Sequence, residues 1–135
     1  MLTTNFVAFD EILLRAIDEA LYSLGETVSQ AIYFHIEDKC GIIKNEIPAN
    51  LQQFQGGLKE IFGAGAQFIE ILIMKTLHLK IGCPQIKVKN KKLEFIEYVH
   101  ATKRGYTEKI QKQTFESQLH TLSIFPVFTA SAAKL

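Results

Sequence analysis

Two glycines one residue apart, Gly63 and Gly65 in "IFGAGAQFIE" (61–70), are the feature of this chain closest to a ligand loop. Closely spaced glycines let a phosphate approach the backbone N–H groups that open a helix. A dinucleotide fingerprint needs G-x-G-x-x-G directly after a strand. Here Phe68 stands where the third glycine belongs, and the residues before Gly63 follow helical spacing. The pair is therefore read as a corner, Gly63 capping one helix and Gly65 easing the start of the next.

Glu70 follows in the most apolar stretch of the sequence. A carboxyl buried there without a partner would protonate or recruit a cation, which is how catalytic acids are made. The favoured alternative turns Glu70 outward on a narrow polar strip shared with Lys80. His35, His78, His100 and His120, with Cys40 and Cys83, are the soft metal ligands, and no pair has C-x-x-C or H-E-x-x-H spacing. His35 and His78 meet only if their helices are neighbours. With no G-x-S-x-G or Cys–His arrangement either, no catalytic residue, metal or other cofactor is assigned, and the chain is not expected to be an enzyme.

Lys87, Lys89, Lys91 and Lys92 form a basic stretch that Lys103 and Arg104 could extend. A solvated linker is the favoured reading; the alternative is a nucleic-acid-binding regulator that uses these lysines on phosphates. Sequence-specific reading needs a helix-turn-helix or an aromatic platform, and neither is identifiable, so such contact would be weak and salt-sensitive. The formal net charge of +1 hides a gradient. Residues 1–40 carry Asp10, Glu11, Asp18, Glu19, Glu26, Glu37 and Asp38 against Arg15 and Lys39. Residues 81–135 carry nine bases against Glu94, Glu97, Glu108 and Glu116. Oppositely charged helices packing side by side, or head to tail in a dimer, account for this most simply.

The elements that would position these residues are helical. Phe9, Leu13, Ile17 (or Ala16), Ala20, Leu21 and Leu24 recur at the spacing of one helix face, ended by Gly25. Thr27 with Gln30 reads as a capping box for a second helix, whose Val28, Ile32, His35 and Ile36 share a face until Gly41 closes it. "IIKNEIPAN" reads as an ordered loop because Pro48 removes a donor and restricts Ile47. Asn50 with Gln53 offers a further box before a helix bearing Leu51, Phe54, Leu58 and Ile61. Gly56 and Gly57 inside that helix cost about 1 kcal/mol each against alanine, which implies close packing or a kink. Ala66 to Ile81 is apolar almost all round, so this helix is central to the core or lies in a subunit interface. Gly82 and Pro84 stop it.

Residues 85–90 read as a strand or a linker. A helical pattern resumes near Lys92 through Leu93, Ile96 and Val99 (or His100), and Gly105 is expected to interrupt it before a last helix with Ile110, Phe115, Leu119 and Leu122. The expectation is an all-α, single-domain bundle of five or six helices around a central apolar helix at about 66–81, spanning 1–122. A tail at 123–135, mobile or docked, offers Phe125 and Phe128 as partner contacts. Charges at Glu70, Lys75 and Lys80 leave no run approaching the roughly 20 apolar residues of a membrane helix. The opening residues lack a secretory pattern, which predicts a cytoplasmic protein with reduced cysteines. The terminal "AKL" is a chance likeness to a peroxisomal address.

The stretch "AIYFHIEDKCGI", then "EIP", Phe54, Leu58 and "IFGAGA", resembles the archaeal Nitrosopumilus output domain family over roughly residues 17–82, with a weaker echo at "EFIEYV". The resembling residues pack and cap; none is a catalytic signature. The resemblance implies a small helical domain that occurs with signalling modules in an archaeal cytosol, and it carries no reaction or ligand residues. Together these readings predict a non-enzymatic interaction or signal-output module that acts through protein–protein contact or self-association.

Overall fold

A computed structural model describes residues 7–81 and 94–113. Five α-helices, α1 (Phe9–Tyr22), α2 (Glu26–Cys40), α3 (Leu51–Phe62), α4 (Ala66–Ile81) and α5 (95–113), account for most of them. Short 3₁₀ segments at Lys44–Ala49 and Gly63–Gly65 complete the secondary structure, and no strand occurs among the described residues. The protein is an all-α helical bundle, and none of its described helices is long and apolar enough to cross a membrane. Helix α1 packs on α2 and α4, α2 on α3, and α3 on α4, so the first four helices close a ring with α2 and α4 at opposite corners. Helix α5 lies against the start of α1, where Phe9 and Tyr106 rings sit 6.0 Å apart and the Tyr106 hydroxyl donates to the Val7 carbonyl at 2.6 Å.

The α1 face expected from spacing is the buried one: Phe9, Leu13, Ala16, Ile17, Ala20 and Leu21 are all in the core. Ala16 and Ala20 carry no bulk, so neighbouring backbones can approach there. Helix α2 presents a different face from the expected one. Ser29, Ile32 and Ile36 point inward, whereas Val28 and His35 are exposed. The capping box does not form either: α2 begins at Glu26, and Gly25 turns the chain at φ 120°. Gly41 behaves as read, a left-handed C-cap at φ 71° whose N–H reaches the Glu37 carbonyl.

The expected loop after Gly41 is instead wound into 3₁₀ helix at Lys44–Ala49. Glu46 accepts the Ile43 N–H at 3.0 Å, and Asn50 uses its amide to hold the Glu46 carbonyl at 2.8 Å rather than to cap α3. Pro48 is tolerated because 3₁₀ turns are short and need few donors. Ile47, wholly buried, anchors the segment in the core. Gly105 does not interrupt α5, which runs unbroken through it with open space around the glycine. The C-terminal tail 123–135, with Phe125 and Phe128, and the strand question at 85–90 lie outside the described residues.

Gly57 and Gly56 serve different ends. A Cβ on Gly57 would collide with Ile36 Cδ1 and come within 3.1 Å of the Cys40 sulfur, so its bare backbone is where α2 and α3 meet. Gly56 faces open space. Chemical denaturation should therefore separate them. Gly56→Ala is expected to gain about 0.5–1 kcal/mol from helix propensity, while Gly57→Val should lose about 1–3 kcal/mol to overpacking.

Candidate functional site

The polar side chains that reach inward tie elements together. Asp18 of α1 accepts from the Tyr33 hydroxyl of α2 at 3.0 Å and pairs with Lys44 at 2.9 Å, and the Lys44 ammonium lies 5.1 Å from the Tyr33 ring centre. Burial, and then the Asp18 carboxylate beside it, push the Tyr33 phenol above its ordinary range. Glu70 is a correction to the sequence reading. It is 6% exposed, on the side of α4 that faces α3, and its Oε2 accepts from the Gln55 amide at 3.1 Å. The helical phase explains this: Glu70 shares a face with Ala66, Ile73 and Leu77, and cannot leave the core while they stay in it. Lys80, its expected companion on an outer strip, pairs instead with Glu19 of α1. The Thr102 hydroxyl of α5 is buried without a hydrogen bond of ordinary geometry.

No metal-binding group of three His, Cys, Asp or Glu occurs among the described residues. His35 and His78 stand on α2 and α4, at opposite corners of the ring, so they do not meet. Cys40 is a free thiol donating to the Gln53 carbonyl at 3.4 Å, while Cys83 and His120 lie outside the described residues. Gly63–Gly65 is a single 3₁₀ turn between two helices, with Gly63 at φ 57°; a helix precedes it where a phosphate loop has a strand. The basic stretch Lys87, Lys89, Lys91 and Lys92 is outside the described residues. Its extension, Lys103 and Arg104, lines a shallow hollow with His100, Thr107 and Glu108 on α5, and Lys103 is engaged with Asp10 at 3.6 Å.

What stands out is apolar surface. The apolar circumference of α4 divides in two: Ile69, Ile73 and Leu77 enter the core, whereas Phe68, Ile71 and Leu79 are 64%, 42% and 79% exposed. Spaced three and eight residues apart, these three follow one outward stripe, with Lys75 and His78 set into it. Beside the stripe, Ile71, Met74, Lys75, His78, Leu79 and Tyr98 line an open groove of about 390 Å³ between α4 and α5. Burial raises the Tyr98 phenol, and the nearby Thr102 hydroxyl offsets part of that. The groove lining holds one ammonium, one imidazole and one phenol, and neither carboxylate nor thiol. On the opposite corner, Phe34 of α2 is 67% exposed. Sequence reasoning overlooked Phe34, Gln55 and Tyr98. Phe34 was detectable as an aromatic off the Ile32–Ile36 face; nothing in the sequence pointed to Gln55 as the partner of Glu70.

No family model matches the chain, and neither a curated protein nor a solved structure is similar to it.

Two measurements test the inward polar groups. Gln55→Leu, which strands the Glu70 carboxylate, should cost about 1–3 kcal/mol by denaturation, and adding Glu70→Met should restore most of it. Because the folded-state pKa of Tyr33 is raised above the unfolded value, its contribution is complete below about pH 10 and is lost as pH rises further. Tyr33→Phe should flatten the fall in stability above that pH, measured by denaturation at a series of alkaline pH values.

Proposed function

We propose that this protein is a non-enzymatic helical interaction module that binds a protein through the outward stripe of α4. The observation that carries the reading is the exposure of Phe68, Ile71 and Leu79 along one helix face. Three large apolar side chains in a row lose free energy in water and regain about 25 cal/mol for each Å² covered. Lys75 and His78 within the stripe would orient an approaching surface by charge and hydrogen bonding. The polar pairs between helices support the same reading, since buried Gln55 and Glu70 and partly buried Asp18 and Tyr33 are spent on holding helices together. The resemblance to the Nitrosopumilus output domain family would suit such a module to a regulatory or interaction role in an archaeal cytosol.

The test is capture from native cells with the full chain as bait, followed by mass spectrometry. A partner retained by the wild type should be lost with Ile71→Glu and with Leu79→Lys, and kept with Lys59→Glu on the exposed side of α3. Thermal melts should be unchanged in all three, because the substituted side chains are exposed or only half-buried. Equal recovery with both α4 variants would remove the stripe from the function.

A further inference from the structure

Resting on that reading of α4, we infer that one occupant of the stripe is the outer face of α2 from a second copy of this chain. The outer face of α2 carries Ala31, Phe34 and Asp38, and that of α4 carries Phe68, Ile71 and Lys75, all solvent-facing. Both triplets have the same spacing, a step of three and then a step of four, so each lies along one side of its helix. Laid parallel, the two helices bring small Ala31 against large Phe68, Phe34 against Ile71, and the Asp38 carboxylate against the Lys75 ammonium. Size, polarity and charge agree at all three levels.

Wider charge favours the same pairing. Helix α2 carries Glu26, Glu37 and Asp38 against Lys39, whereas the outward stripe of α4 carries Lys75 and no acid, because Glu70 is buried and Lys80 is turned to Glu19 of α1. Pairing α4 with another α4 is disfavoured. Folded back antiparallel about the middle of the stripe, it would place Lys75 within about one turn of its own counterpart. Because α2 and α4 occupy opposite corners of the ring, these two faces cannot pair with each other within one chain. The contact is head to tail, and each copy keeps one face of each kind available, which closes into a ring or extends as a filament.

Light scattering and sedimentation of the purified full chain over a range of concentrations test this. The wild type should exceed the monomer mass increasingly with concentration. Phe34→Glu and Phe68→Glu should each be monomeric, and an equimolar mixture of the two should form a 1:1 pair through the one intact face on each chain. Asp38→Lys should weaken association at least about tenfold, and the added Lys75→Asp should restore it. A wild type that stays monomeric overturns the inference, as does self-association of Phe34→Glu, or two monomeric variants that fail to pair. Circular dichroism on each variant guards against misfolding, which is not expected at these exposed positions. Failure here leaves the α4 stripe intact as a contact face if partner capture still depends on Ile71 and Leu79, so the two readings fail separately.

Discussion

A helix with apolar residues on every side needs neighbours on every side, and a bundle of this size supplies them for about half of α4. Ile69, Ile73 and Leu77 set the phase by entering the core between α1 and α3. Once that phase is fixed, the fate of each remaining residue follows from its angle and not from its polarity. Glu70 goes in, because it lies beside Ile73 and Leu77; Phe68 and Leu79 go out, because they lie opposite. Turning the helix to hide Phe68 would expose several core residues to rescue one. Gln55 is the adjustment on the other side of the interface, a buried amide that supplies the Glu70 carboxylate with a donor.

Part of the acidity of the first helix is matched within the fold. Acids of α1 meet bases from three later elements: Asp18 with Lys44, Glu19 with Lys80, and Asp10 with Lys103. All are at least partly exposed, so each contributes little to stability. Spread along α1, however, they specify which element lies beside which part of it. On α2, Glu26, Glu37 and Asp38 enter no ion pair among the described residues.

The fold class was legible because α1, α3 and α4 repeat apolar residues at helical spacing, and because Gly41 and Gly63 sit where only a glycine takes a positive φ easily. Where the reading failed, a tertiary contact outweighed a local rule. Thr27 and Gln30 have the residue types of a capping box, yet Gly25 bends the chain so sharply that α2 starts before them. Helical spacing alone groups Val28 and His35 with Ile32 and Ile36, but the inward face is the one that carries Ser29, Ile32 and Ile36. Pro48 signalled a loop, while burial of Ile47 winds the segment into 3₁₀ turns. Gly105 signalled a break, yet Thr102 and Tyr106 on either side of it are held against the bundle and carry the helix through.

That same balance bears on function. Enzyme and metal sites need several polar groups converging on a space that a ligand can enter. Among the described residues, most of the polar groups that reach between elements meet one another: Tyr33 and Lys44 on the half-exposed Asp18, Gln55 on the buried Glu70, and Tyr106 on the backbone of Val7, while the buried Thr102 hydroxyl has no partner of ordinary geometry. Each such set joins two elements, so it is already committed to holding the fold. The uncommitted resource is apolar area on α4, with a smaller share on α2. Area of that kind gains free energy only by being covered, and it is nearly indifferent to the covering surface except through shape and the charges set into it. Lys75 and His78 on one face and Asp38 on the other are therefore the groups that would decide which surface is accepted, while Phe68, Ile71 and Leu79 supply the reason for any contact at all.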